Sequence, residues 1–121
     1  MFKRKHRLAK TTSVVAALKN GRGFFNPEIN IRFLPTVGMD PKFTIVVSTK
    51  VDKRAVRRNR LKRIIRELIN QNLTGIRPGD YVIMLKPRAA KVEEALLLKN
   101  LLTSLVGWGL LRKNVTITKQ N

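Results

Sequence analysis

The sequence has no cysteine, which excludes disulfide bonds and cysteine-ligated zinc sites. No apolar run approaches the roughly 18 residues that a membrane-spanning helix requires. The apolar stretch at 14–18 is also shorter than the ~7–15 residues that form the core of a signal peptide. From these absences we expect a cytoplasmic protein.

Acidic residues are scarce, because the 121 residues include seven Asp and Glu against 26 Lys and Arg, a formal net charge of +19. Hydrophobic residues make up 43% of the chain, enough for a modest core, and we assign residues 1–121 to one domain. A small domain this basic is expected to bind a polyanion. Nucleic acid is the first candidate partner, and an anionic membrane surface is the second.

The few acidic residues form no recognisable catalytic set. They are Glu28, Asp40, Asp52, Glu67, Asp80, Glu93 and Glu94. Glu93 and Glu94 are adjacent, so on a helix they diverge and cannot easily clamp one metal ion. Asp52 is expected to cap a basic helix, Asp80 to form a turn, and His6 to lie solvated in a basic arm. Without Ser/His/Asp, Cys/His or metal-ligand spacing, we predict no catalytic residue and no metal ligand in the protein.

Hydrophobic periodicity predicts alternating helices and strands. The elements are a basic arm (1–7), a short helix capped by Thr11, Thr12 or Ser13 and ended by Gly21, strands at 29–33 and 43–48, a helix continuing from Leu61 to Leu73, a strand at 81–86, a helix at 92–106 and a flexible tail (107–121). The strand at 43–48 is expected to be buried on both faces or nearly so. The residues 114–121 read as an added strand or a frayed end, and Trp108 as a cover over the core.

The order of these elements predicts an α+β fold. A strand, a long helix and a strand in succession indicate a βαβ unit within a mixed sheet, with helices covering one face. The Leu-rich helix at 92–106 is expected to lie in the core, with two glutamates in its first turn, where the helix dipole favours them.

The segment RAVRRNRLKRIIRE (54–67) carries six Arg and one Lys on a helical pattern. Its apolar residues continue a single stripe, which comprises Leu61, Ile64, Ile65, Leu68 and Ile69. Extended towards the N-terminus, this stripe meets Arg54, Arg57 and Arg58, whose burial without partners would be too costly. The helix therefore begins near Arg57 or projects past the sheet, with Arg60 and Arg63 on its far face and Lys62 and Arg66 on its flank.

Cations at a helix start conflict with the helix dipole, which favours anions there. A bound phosphate resolves the conflict, because free N–H groups, the dipole and guanidinium groups all attract the same anion. The alternatives are a solvated charged face and a membrane-binding face. The membrane alternative is disfavoured because the segment has no Trp or Phe to insert.

At these residues the sequence resembles the protein component of bacterial ribonuclease P. The segment STKVDKRAVRRNRLKRIIRE (48–67) contains the Arg-Asn-Arg signature at Arg58, Asn59 and Arg60, and GDYVIMLKP (79–87) is similar to the family's Gly-Asp strand. HRLAKTTSVVAALKNGR (6–22) is similar to its first helix more loosely. The resemblance covers about residues 5–106. It implies an α-β-β-β-α-β-α order, a mixed four-stranded sheet, helices mainly on one face and a left-handed crossover.

The resemblance also implies a function. The protein would bind a catalytic RNA and support endonucleolytic removal of the 5′ leader from precursor tRNA, with Mg²⁺ held mainly by RNA and substrate. The residues implied to bind the catalytic RNA are Lys50, Lys53, Arg54, Arg57, Arg58, Asn59, Arg60, Lys62, Arg63 and Arg66. The candidates for leader binding are Val14, Leu18, Phe24, Phe25, Arg32, Phe33 and Lys86. No membrane and no obligate protein partner are inferred.

The assignments of leader-binding residues and of function have alternatives. The first helix has Val14 and Leu18 where the family commonly has aromatic residues, which would stack on leader bases. Phe24, Phe25 and Phe33 are the alternative stacking residues, or belong to the core. The competing functions are a general RNA-binding protein of the ribosomal type and a DNA-binding module with its basic helix in the major groove.

Overall fold

The fold is a four-stranded mixed sheet with helices on both faces, described in a computed structural model for residues 4–38 and 40–112. Its helices and strands are α1 (Thr11–Asn20), β1 (Arg22–Phe25), β2 (Ile29–Leu34), β3 (Lys42–Val46), α2 (Ala55–Gln71), β4 (Asp80–Leu85) and α3 (Glu94–Gly107). This order confirms the α-β-β-β-α-β-α fold. Periodicity alone missed β1, which is only four residues long.

The strands lie in the order β1-β2-β4-β3 across the sheet. Only β3 and β4 are parallel, and α2 connects them, which confirms the predicted βαβ unit. The left-handed sense of this crossover stays a prediction. The prediction that 43–48 is buried on both faces is wrong. The strand ends at Val46 and occupies a sheet edge, where Phe43 is its one fully buried residue.

The main core lies between one face of the sheet and the helices α2 and α3. Alternate residues of β2 and β4 point to this face: Ile29, Ile31, Phe33, Tyr81, Ile83 and Leu85. The predicted stripe of α2 is confirmed, because Leu61, Ile64, Ile65, Leu68 and Ile69 are all buried against them. Each such side chain contributes about 1.5–3 kcal/mol by leaving water. This packing fixes which side of α2 faces solvent.

Among the described residues, the opposite face of the sheet is covered by α1 and by Leu8, which precedes it. Ala17 of α1 and Val82 of β4 are fully buried there, with Leu34 and Met84 packed around them. Gly21 ends the helix as predicted, and a Cβ at this position would lie 2.3 Å from the carbonyl oxygen of Ala17. The predicted Thr or Ser cap is wrong, because the N-cap residue is Lys10 and makes no side-chain capping hydrogen bond.

Both ends of the described chain are more firmly packed than the sequence predicts. His6 is buried rather than solvated, and its Nδ1–H donates to the carbonyl oxygen of Pro41 at 2.8 Å. Leu110 and Leu111 are buried in the main core, so the predicted flexible tail does not begin at 107. Trp108 packs against Phe24 with ring centres 5.5 Å apart, as a cover over the core. The predicted strand or frayed end at 114–121 lies outside the described residues.

Candidate nucleic-acid interface

The basic helix α2 begins at Ala55, directly after a loop that Asp52 holds together. Oδ1 of Asp52 accepts the backbone N–H of Arg54 at 2.9 Å and its side-chain Nε at 3.0 Å, and Oδ2 accepts Nη2 at 2.9 Å. Asp52 was expected to cap the helix, but the N-cap residue is Arg54, with no side-chain capping hydrogen bond. The carboxylate therefore orders the loop before the helix and leaves the first turn of α2 without an anionic cap.

Asp52 is strongly biased towards its charged form. The side-chain hydrogen bond from Arg54, and then the backbone hydrogen bond from the same residue, lower the pKa of Asp52 from 3.8 to about 2. Its side chain is largely covered, whereas that of Arg54 is 75% exposed. The carboxylate of Asp52 thus fixes the backbone of the loop, while the side chain of Arg54, which it binds, remains at the surface.

We expect the stability contributed by Asp52 to be lost in acid. A lowered pKa in the folded state gives stability that is present above 3.8 and disappears as the pH falls through about 2. Measuring the urea midpoint of the native protein and of Asp52→Asn across this range checks the expectation. The native protein should be more stable at neutral pH, and the difference should vanish near pH 2. A difference that persists unchanged at pH 2 would contradict it.

Arg58, the first residue of the Arg-Asn-Arg signature, is partly committed to the protein's own backbone. Its Nη1 donates to the carbonyl oxygens of Asp52 at 3.1 Å and Lys53 at 2.8 Å. The side chain is half-buried, and these two carbonyl oxygens are its partners. Arg58 therefore connects the loop to α2. Its substitution would disturb the structure of the loop as well as the binding of an anion.

Arg57 and Arg60 meet an acidic residue that sequence reasoning did not connect to them. Glu94, the first residue of α3, accepts Nε of Arg60 through Oε2 and Nη2 of Arg60 through Oε1, both at 2.6 Å. The same Oε2 accepts Nη1 of Arg57 at 3.2 Å. Glu94 was assigned only to the dipole of its own helix, because the sequence does not reveal that α3 starts beside the first turns of α2.

The outward side of α2 forms a basic surface that matches the predicted helical wheel. Its polar residues are Asn59, Arg60, Lys62, Arg63 and Arg66, which together with Val56 line a shallow depression of about 600 Å³. We call these five polar residues the α2 basic face. Among the described residues, the side chains of Asn59, Lys62, Arg63 and Arg66 have no hydrogen-bond or ion-pair partner. These four of the five side chains are therefore free to bind an external anion.

The remaining candidates lie at the entry to this face. Lys50, Lys53 and Arg54 are exposed in the loop that joins β3 to α2. All ten residues predicted to bind the catalytic RNA are thus grouped on the loop and the first three turns of one helix. The group falls into two sets: arginines that already donate hydrogen bonds to the carboxylates of Asp52 or Glu94, and residues that do not.

The second predicted surface lies across the sheet, on the side of α1. Leu18 is 39% exposed and Phe25 is 70% exposed, while Val14, Arg32 and Lys86 are half-buried. The Nζ of Lys86 lies 5.0 Å from the centre of the Phe25 ring and donates to the carbonyl oxygen of Asn26 at 2.8 Å. A cation beside an exposed ring is suited to contact a phosphate and a base together.

Two of the predicted leader residues do not belong to this surface. Phe33 is 2% exposed and packs against Tyr81 in the main core, with ring centres 4.7 Å apart. Phe24 points to the same core side and contacts Trp108. Both residues therefore follow the core alternative, because neighbouring strand residues alternate between faces and, of the three phenylalanines, Phe25 turns towards α1. Sequence reasoning missed Val15 and Val46, which are 44% and 42% exposed.

Within residues 4–38 and 40–112, no three His, Asp or Glu side chains are grouped so that they could hold a metal ion. None of the helices in that part of the chain combines the length and the apolar character needed to cross a bilayer.

Comparison with known proteins gives a consistent result. The family model described as Ribonuclease P matches residues 2–107. The ribonuclease P protein component of Xylella fastidiosa is 36% identical over 94 residues, which cover 78% of this chain and 69% of that protein. The structure of the Staphylococcus aureus RNase P protein superimposes with a TM-score of 0.81 at 22% identity, covering 88% of this chain and 98% of that one. For the Thermotoga maritima RNase P protein the TM-score is 0.71 at 29% identity, covering 80% and 92%.

The sequence match, the fold and the signature Arg58-Asn59-Arg60 at the start of α2 agree. The family model spans most of the chain, and the Xylella protein is matched over more than two thirds of its length. The chain belongs to the ribonuclease P protein component family.

Proposed function

We propose that this protein is the RNA-binding subunit of a ribonuclease P particle and binds the catalytic RNA through the α2 basic face. The observation that carries the proposal is that the exposed Arg63 and the half-buried Lys62 and Arg66 line the outward side of α2, and that their side chains have no partners in the described chain. Arginine forks suit the phosphates of a folded RNA, and the uncapped first turn of α2 adds backbone N–H donors. The expected cytoplasmic location stays a prediction.

We further propose that the surface beside α1 binds the single-stranded 5′ leader of precursor tRNA. Phe25 provides an exposed ring, Leu18 and Val46 provide apolar contacts, and Arg32 and Lys86 provide positive charge. This surface and the α2 basic face lie on opposite sides of the sheet. One subunit of this shape can therefore contact two RNA segments without the two competing for the same residues.

Mg²⁺ ions would be held by RNA and substrate phosphates rather than by the protein. The carboxylates of Asp52 and Glu94 already accept hydrogen bonds from arginines, and the buried Glu28 accepts one from Asn100 at 3.2 Å. These groups do not converge on one point among the described residues, so they do not fit a shared metal site. Chemistry in this proposal belongs to the catalytic RNA, and the protein supplies positive charge and contacts.

Cleavage of precursor tRNA by the cognate catalytic RNA tests the proposed function. Measured at limiting Mg²⁺, the cleavage rate should rise strongly when the protein is added, because its cations screen repulsion between the two RNAs. Absence of stimulation would contradict the proposal. Stoichiometric ribosomal RNA in the purified protein would favour the general RNA-binding alternative, and preference for duplex DNA in competition would favour the DNA-binding one.

Phe25→Ala should weaken binding of precursor tRNA to the assembled particle. Stacking of one base on an aromatic ring contributes about 1–3 kcal/mol, so we expect a loss of roughly five- to hundredfold. The measurement is the dissociation constant of precursor tRNA with a leader, and the control is the same tRNA without one, which should bind unchanged. An equal loss for both substrates would show that Phe25 does not contact the leader.

A further inference from the structure

The carboxylate of Glu94 occupies the guanidinium fork of Arg60, a residue of the α2 basic face to which the proposed function assigns RNA binding. Nε and Nη2 of Arg60 donate side by side to its two oxygens, both at 2.6 Å, and Nη1 of Arg57 donates at 3.2 Å. This paired arrangement is the one that arginine also uses for a phosphate. A phosphate can engage the same fork of Arg60 only after the carboxylate of Glu94 has left it.

The contact is weak enough to be exchanged. The side chains of Arg60 and Glu94 are 47% and 27% exposed, so water and salt screen their attraction. The hydrogen bond from Arg60 lowers the pKa of Glu94, so the carboxylate is charged at neutral pH and competes as a full anion. A folded RNA that presents several phosphates at once has the advantage over a single tethered carboxylate.

The basic residues in the first turns of α2, which are the cations of the α2 basic face together with Arg57, therefore form two unequal parts. Among the described residues, Lys62, Arg63 and Arg66 have no acidic partner, whereas Arg57 and Arg60 share Glu94. An RNA that touches only the first part leaves Glu94 in place. An RNA that fits the whole helix start must displace it.

We propose that Glu94 is an internal competitor for RNA phosphate, which keeps Arg57 and Arg60 occupied until an RNA that fits the helix start displaces it. The inference rests on the proposed function, because it assumes that the α2 basic face binds RNA. It adds a specificity-determining residue on α3, outside the basic segment. Glu94 lowers the affinity of the protein for every polyanion that binds Arg60. This loss matters most for polyanions that make few other contacts with the protein.

Replacing Glu94 with Gln tests the competition, and Glu93→Gln is the matched control. Both variants lose one negative charge from adjacent positions, but Glu93 is exposed and, among the described residues, contacts neither Arg57 nor Arg60. We expect Glu94→Gln to bind the catalytic RNA about two- to fivefold more tightly than Glu93→Gln, the range of an exposed ion pair. The salt dependence of binding should also steepen by about one counterion. Equal affinities for the two variants, or weaker binding by Glu94→Gln, would overturn the inference.

A double substitution shows whether the effect acts through Arg60. In an Arg60→Ala background, Glu94→Gln should produce less than half of its original gain, because the fork that it frees is absent. The full gain in that background would overturn the proposed route. The Nε–H resonance of Arg60 supplies a direct readout: adding catalytic RNA to the native protein should shift it away from its position in the Glu94 pair. An unchanged resonance in the RNA-bound protein would mean that Glu94 stays in place.

Heparin separates this inference from the proposed function. It is a polyanion without bases, so its binding reports competition for the cations whether or not the protein supports ribonuclease P. Glu94→Gln should elute from heparin at higher salt than Glu93→Gln. If that difference appears while the protein fails to stimulate the catalytic RNA, the proposed function is wrong and the competition stands. If the difference is absent while stimulation is normal, the competition is wrong and the proposed function stands.

Discussion

Replacing Arg63 and Arg66 together with Ala should reduce affinity for the catalytic RNA on the order of ten- to hundredfold, because each lost contact between a solvent-exposed arginine and a phosphate costs about 1 kcal/mol. Both residues lie on the α2 basic face, with no partner among the described residues. The slope of log affinity against log salt should become shallower by about two, since two fewer counterions are released. A binding titration at several salt concentrations measures both quantities.

The control for this pair is Lys19→Ala with Lys99→Ala, which removes the same charge from exposed positions on α1 and α3. The control should change affinity by less than about threefold, because distant charges are screened. Circular dichroism should be unchanged for both variants, since none of the four side chains is buried. Equal losses for the two variants would mean that net charge, rather than the α2 basic face, determines binding.

Gly79→Ala should destabilise the fold by about 3–5 kcal/mol, combining backbone strain with overpacking of the core. Gly79 has a φ of +151°, and an added Cβ would lie 2.3 Å from Cε1 of Phe33 and 2.9 Å from the carbonyl oxygen of Leu34. Phe33 cannot move away easily, because its ring packs against Tyr81 in the core. A loss of this size is a large part of the ~5–15 kcal/mol that stabilises a typical domain.

Urea unfolding measures the loss, and Gly109→Ala is the control. Gly109 also has a positive φ, +78°, but nothing lies within 4 Å of an added Cβ. Its substitution should cost only the backbone strain, about 1–2 kcal/mol. If Gly79→Ala were no more destabilising than Gly109→Ala, the close contact with Phe33 would not be what requires glycine before β4.

The parts of the fold that follow one dominant local pattern could be predicted from the sequence. The stripe from Leu61 to Ile69 was predictable because one apolar period continues through it, and it fixed the orientation of the basic residues as well. β1 was not predictable in this way, since four residues carry too little pattern. The resemblance to a known family supplied it.

The parts that depend on how distant segments meet could not be predicted. Glu94 stands 34 residues from Arg60, and only the packing of α3 beside α2 brings them together. The faces of Phe24, Phe25 and Phe33 depend on strand register and on which side of the sheet α1 covers. The burial of His6 likewise depends on Pro41, a residue that the sequence gives no reason to place beside it.

Site-specific crosslinking tests most directly the claim that the catalytic RNA lies on the α2 basic face. Val56 is 82% exposed, uncharged and at the edge of that face, so a photoreactive residue there removes no cation. Val37, fully exposed in the loop before β3, is the matched control. With the reconstituted particle, we predict strong crosslinks to the catalytic RNA from position 56 and few from position 37. Efficient crosslinking from position 37 with none from position 56 would contradict the account.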